Sequence, residues 1–215
     1  MELKPELLLR AYSIGIFPMA ESRADSEIHW IDPDRRGVLP IESFHIPRKL
    51  KRLVRQGPYE VRCDSAFPQV IKLCATPAPG RADTWINPTI ERLYNELHEI
   101  GFAHSVECWQ DKKLVGGLYG VALGAAFFGE SMFSRASNAS KIALVHLVAR
   151  LKKSEFSLLD TQFETPHLRQ FGVVEIPREA YRTRLARAVR RHANFYSELS
   201  SSELERFLQS ITQTS

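Results

Sequence analysis

Asp160 and Gln162 stand two positions apart in the apolar run Leu158-Leu-Asp-Thr-Gln162. Alternate residues of a strand share a face, so a strand here would turn the carboxylate and the amide one way and Leu159 and Thr161 the other. A carboxylate in an apolar strand is costly to bury without a partner, so its presence needs a reason. It can cap a neighbouring loop, or it can take or steer a proton while the amide holds a polar reactant. Glu130 is the second candidate, in Phe127-Phe-Gly-Glu-Ser-Met-Phe-Ser-Arg135. It follows Gly129, where a ligand can come close to the backbone. It can pair with Arg135 or Lys141, or accept a hydrogen bond from an amine or a ribose hydroxyl. An acid and an amide beside an apolar slot suit a small apolar group joined to a polar reacting centre.

Other chemistries find less support. The seven histidines form no metal signature, and His104-Ser-Val-Glu107 has no second half. There is no Walker loop, no GxGxxG, and no Gly-x-Ser-x-Gly elbow. Trp30, Trp85, Tyr94 and Tyr119 are candidates for stacking on a nucleobase, although any one aromatic is more often core. Arg48, Lys49, Lys51, Arg52 and Arg55 cluster after Arg35 and Arg36, and a second group runs from Arg178 to Arg191. Each cluster is a solvated face or a surface for a phosphate backbone.

These residues need elements to position them. The spacing predicts a helix over 5–14 ended by Gly15, short strands and loops over 16–47 with Val38 and Leu39 in one strand, and a basic helix over 47–56. Asp64 or Ser65 should cap a helix bearing Phe67, Val70, Ile71 and Cys74, and 76–81 reads as a loop. Asn87-Pro88 opens a helix that Gly101 closes. Strands at 103–109 and 113–121 form a hairpin, and a third follows at 124–129. A largely apolar helix over 138–153, a strand over 156–163, a short helix from Pro166, a strand over 173–176 and a helix from Pro177 to about Arg191 complete the order. The Ser-rich last ~20 residues read as weakly anchored, with one possible helix over 202–211.

The bulk numbers set bounds. With 215 residues, 44% hydrophobic and 25% charged, the chain suffices for one large domain or a medium and a small one. The net charge of +4 is only mildly basic. Three cysteines without close spacing argue against a disulfide framework, and no signal peptide or apolar run of membrane-spanning length is visible. A reduced cytoplasmic setting is expected.

A longer set of motifs points further. Gly15-Ile-Phe-Pro18, Trp30 followed by Asp32-Pro33, Phe44-His-Ile46, Thr84-Trp-Ile86, His104-Ser-Val-Glu107, Leu114-Val-Gly-Gly-Leu-Tyr-Gly120, Gly129-Glu-Ser-Met-Phe-Ser-Arg135, Ala139-Ser-Lys141 and Leu159-Asp-Thr-Gln162 resemble, in order and spacing, the leucyl/phenylalanyl-tRNA–protein transferase family over about residues 5–189. The resemblance implies an aminoacyltransferase that moves Leu or Phe, and Met less, from aminoacyl-tRNA to the N-terminal Arg or Lys of a protein, marking it for N-degron degradation. It implies an α+β fold: a small N-terminal α/β domain over 1–57 and a larger acetyltransferase-like (GNAT) domain over 58–191, with a mixed, mainly antiparallel sheet flanked by helices. Residues 192–215 would form a tail.

Carried over from the family pattern, Asp160 and Gln162 are the catalytic pair, with Glu130 in support. Leu118, Phe127, Met132, Leu147, Leu151 and Leu159 are candidates for the aminoacyl pocket. Trp30, Trp85, Tyr94 and the basic run Arg48, Lys49, Lys51, Arg52 and Arg55 are candidates for holding tRNA. An aminoacyl ester is already activated, so no cofactor or metal is implied, and a monomer is expected. Met19-Ala20, the Phe-Glu-Thr165 after Gln162, and Leu118 depart from the family pattern. A GNAT-type acetyltransferase would want a Gly-rich pyrophosphate loop that is missing here. A non-catalytic RNA-binding module is the third reading.

Overall fold

The computed structural model describes residues 3–78, 82–195 and 198–211. The chain runs α1 Pro5–Ser13, β1 Phe17–Met19, β2 His29–Ile31, β3 Arg35–Val38, α2 Arg48–Gln56, β4 Glu60–Cys63, α3 Phe67–Cys74 and α4 Pro88–Glu99. It continues β5 Ala103–Gln110, β6 Lys113–Leu123, β7 Ala126–Ser134, α5 Ala139–Lys153, β8 Leu158–Gln162, α6 Pro166–Arg169, β9 Val174–Pro177, α7 Arg178–Ala188 and α8 Ser201–Ser210. Among the described residues, β1 and β2 form a small antiparallel pair and seven strands form one sheet in the order β4-β5-β6-β7-β8-β3-β9. Only the β7–β8 pairing in that sheet is parallel.

Strand alternation builds a core on each face. Leu118, Phe127 and Leu159 go to one side, with α2, α5 and α8. Their neighbours Tyr119, Phe128 and Leu158 go to the other, with α1, α3, α4 and α7. Helix α5 is buried around most of its girth, from Ile142 to Leu151, as its apolar sequence predicts. Its first turn presses on β6 at Gly116, where an added Cβ would stand 2.3 Å from that of Ala139. Asn87 caps α4 by accepting the Ile90 N–H, and Gly101, at φ +81°, follows the helix end.

Several expectations change. β7 extends to Ser134, beyond the expected 129, because β6 keeps pairing with it past a bulge at Tyr119/Gly120. β4 is an edge strand with mixed chemistry that periodicity did not reveal. α3 begins after Ala66, and neither Asp64 nor Ser65 caps it. The buried Glu107 carboxylate does so from β5, accepting the Ala66 N–H at 2.8 Å and the Ser65 hydroxyl. Asp64 instead engages His104 and the Ser105 N–H. Leu39 falls just past β3, yet its N–H still reaches Leu159 O at 2.9 Å. The expected loop 76–81 runs partly outside the described residues.

The boundary expected at Gly57 is crossed by the sheet, since β3 precedes it and lies between β8 and β9. Over residues 198–211 the tail is also better anchored than its serines suggest. Ser200 and Glu203 form a capping box, and Phe207 and Leu208 bury into the core beside α5.

Candidate active site

The parallel register of β7 and β8 ends at Phe128↔Asp160. Beyond it β7 stays with β6, pairing Ser131 with Tyr119 and Met132 with Leu118, while β8 turns to β3. A cavity of about 580 Å³ opens where the strands part, lined from both of them and from α5. Leu118, Met132, Leu144, Leu147 and Leu159 give it an apolar floor, and Glu130 and Gln162 supply polar groups. Sequence reasoning missed Leu144, although it lies three residues before Leu147 and so shares its helix face.

Glu130 is held by two helices of the opposite core, α1 and α4. Tyr12 of α1 donates to Oε1 at 2.8 Å, and Tyr94 of α4 donates to Oε2 at 2.9 Å. The two phenol oxygens also lie within hydrogen-bond reach of each other, where either can donate in place of its bond to Glu130. Gln162 Nε2 donates to Oε1 at 3.0 Å. The cavity leaves Glu130 partly accessible although protein surrounds it. That burial pushes its carboxyl up to about 7, against the lowering effect of the two tyrosine hydroxyls, with the charge of Asp160 adding to the rise.

Asp160 has a different setting. It is fully buried and outside the cavity wall. Arg36 grips it with Nε at 2.9 and 3.1 Å and Nη2 at 2.7 Å, and Tyr181 donates to Oδ2 at 2.6 Å. Gln162 N–H donates to Oδ1 at 2.8 Å. The remaining Arg36 arm reaches Gly15 O at 2.9 Å, which ties the end of α1 into the same lock. The rings of Phe17 and Tyr181 flank the guanidinium. Gln162 has φ +57°, which is unusual for a non-glycine residue, and the Asp160 bond helps to hold it there. The geometry thus runs from Arg36 through Asp160 to Gln162 and Glu130. Asp160 is left with no face towards the cavity. The sequence grouped Arg36 with the surface basic residues, and nothing local marked it as buried.

The structure sorts the remaining candidates. Leu118, Met132, Leu147 and Leu159 line the cavity. Phe127 and Leu151 do not, because both are fully buried in the core behind it, with Phe127 packed on Phe156 and Phe195. Trp85 lines the cavity, and Trp30 is 38% exposed on β2. Tyr94 is fully buried and engaged with Glu130, so it offers no face to a base. Arg48, Lys49 and Arg52 are exposed on α2, Lys51 is half-buried, and Arg55 pairs with Glu205 of α8 at 2.6 Å. Tyr119 is buried, and its hydroxyl, like Thr161 Oγ1, has no hydrogen-bond partner on the cavity wall among the described residues. Such atoms can serve a substrate.

Comparison with known proteins gives the family. Residues 38–186 match the model of the leucyl/phenylalanyl-tRNA protein transferase family, and residues 1–34 match the model of its N-terminal domain. A leucyl/phenylalanyl-tRNA–protein transferase of Phenylobacterium zucineum is 61% identical over 190 residues, 88% of this chain and 86% of the relative. One of Paramagnetospirillum magneticum is 58% identical over 193 residues, 90% of this chain and 92% of the relative. One of Caulobacter vibrioides is 57% identical over 208 residues, 97% and 96% of the two chains. The chain belongs to the leucyl/phenylalanyl-tRNA–protein transferase family.

Proposed function

We infer that this protein transfers leucine or phenylalanine from aminoacyl-tRNA to the N-terminal Arg or Lys of a protein, which marks that protein for N-degron degradation. The observation that carries the site assignment is Glu130, a carboxyl raised to about 7 on the wall of an apolar cavity. A group with a pKa near the working pH is suited to proton transfer. The neutral α-amine of the acceptor attacks the ester carbonyl carbon. The C–N bond forms, the ester C–O bond breaks, and the ribose hydroxyl leaves with a proton. Glu130 accepts the proton that the amine loses and passes it to the departing ribose oxygen, Gln162 fixes the Glu130 carboxylate, and Asp160 positions Gln162. Positioning the two reactants supplies up to roughly 7–11 kcal/mol in well-oriented systems.

The donor's side chain enters among Leu118, Met132, Leu144, Leu147 and Leu159. Trp85 meets the terminal nucleoside, Trp30 flanks the tRNA's path, and the exposed residues of α2 hold acceptor-stem phosphates without reading sequence. The divergence of two parallel strands around the cavity supports an acetyltransferase-like fold. The protein acts in the cytoplasm as a monomer, where charged tRNA is supplied.

The test is transfer of radiolabelled Leu or Phe from charged tRNA to a peptide beginning with Arg, with a Gly-initial peptide as control. Transfer to the Arg peptide alone is expected. Absence of transfer to either peptide, with the ester intact, would overturn the reading.

A further inference from the structure

One wall of the cavity is unlike the Glu130 wall. Helix α5, 15 residues long, points its first turn at the cavity, where Asn138, Ser140 and Lys141 are lining residues. Its N-cap residue, Asn138, makes no side-chain cap bond, and its first turn holds no acidic residue. Asn138, at φ +60°, spends its amide on Ser137 Oγ. The Ala139 and Ser140 N–H groups donate to Ala136 O and Ser134 Oγ. Among the described residues no acceptor serves the Lys141 N–H.

A helix start left this way favours an anion, and further observations point to a ligand. Ser140 is 6% exposed, and among the described residues no hydrogen bond engages its hydroxyl, although its backbone N–H is bonded. Lys141 is the lysine of the cavity wall, and among the described residues its Nζ has only the neutral Gln170 Oε1 at 3.3 Å. His167, beside Lys141, also lines the cavity, with its buried Nε2 unpartnered among the described residues. Glu130, the carboxylate of the lining, is engaged by Tyr12, Tyr94 and Gln162.

We propose that the first turn of α5, with the Lys141 ammonium and the Ser140 hydroxyl, is a phosphate subsite for the 5′ phosphodiester of the aminoacylated terminal nucleotide. This rests on the reading of the donor as aminoacyl-tRNA. The aminoacyl group and that phosphate hang from one ribose, so a cavity that seats the first brings the second close to its wall. The subsite explains why a cation and free donors line a pocket whose floor is apolar. It also gives the enzyme a hold on any charged tRNA that does not depend on sequence.

The test is equilibrium binding of adenosine 5′-monophosphate and of adenosine to the full chain, with inorganic phosphate alone as a third probe. The wild type should prefer the monophosphate by about five- to tenfold, as expected for one ammonium and a helix start. In Lys141→Met the ratio should fall towards one, and in Lys141→Glu adenosine should become the tighter ligand. Ser140→Ala should reduce the ratio by a smaller factor. Thermal melts establish that each variant is folded. Equal binding of both ligands by the wild type, no binding of either, or an unchanged preference in Lys141→Glu would overturn the subsite. Transfer from charged tRNA by the wild type is measured separately, and its failure would overturn the reading of function.

Discussion

Asp160 and Glu130 are both acids set among apolar residues on adjacent strands, yet they occupy opposite electrostatic situations. Asp160 meets a guanidinium, a phenol and a backbone N–H, and nothing of it reaches the cavity. Glu130 meets two phenols and an amide, all neutral, and lies on the cavity wall. Asp160 is tied down by a full opposite charge, whereas around Glu130 the neutral donors leave burial free to raise the carboxyl to about 7. A buried acid becomes a lock or a reactive group according to its partners.

The largest effect should come from breaking the lock. Arg36→Met leaves Asp160 buried without its countercharge and should cost about 3–5 kcal/mol of stability, read as a lower urea midpoint. Adding Asp160→Leu to that variant should recover much of the loss, because the stranded charge is then gone. A midpoint unchanged by Arg36→Met would sink this account of Asp160.

Glu130→Gln should sharpen the contrast. It should cut transfer by about 10²–10⁴-fold while leaving the unfolding midpoint at pH 4.5 near that of the wild type. The pH profile separates the two roles further. Glu130's carboxyl is at about 7 when folded, against an ordinary 4.5. Its protonated form therefore favours the folded state, and that stabilisation, complete below pH 4.5, is lost as pH rises through about 7. Relative to wild type, Glu130→Gln should gain stability across this window. Transfer by the wild type should rise through the same window as the carboxylate forms. A rising limb that survives unchanged in Glu130→Gln would assign it to another group.

Tyr12→Phe should give the smallest change. It removes one of the two hydroxyls that favour the ionised form, so the rising limb should move up by about one unit with a modest loss of transfer at pH 7. A downward move would contradict the hydrogen-bond direction assigned here.

Much of this was legible in the chain. The helices at Pro5, Pro88 and Pro166 carry their own start signals, and the period of the 138–153 segment marks it as central. The motifs holding Glu130 and Gln162 both contribute to the cavity wall. What escaped depends on long-range partners. Glu107, 41 positions from Ala66, supplies the cap that Asp64 and Ser65 were expected to give. Tyr94, read as a stacking platform, is spent on Glu130, 36 positions away. Arg36, read with a surface cluster, is buried because Asp160 waits 124 positions on. The tail's anchoring depends on Phe207 and Leu208 meeting a core that no local pattern describes.

The sequence by itself determined which residue types are present and which faces they share, because helix and strand periods are local properties of the backbone. It therefore determined the elements, the apolar surfaces and the short motifs. Only the tertiary structure decided which acid is sealed and which is open, and which end of α5 faces the cavity. Charge, burial and hydrogen bonding at a carboxylate are set by groups tens of residues away, and folding alone brings them within 3 Å.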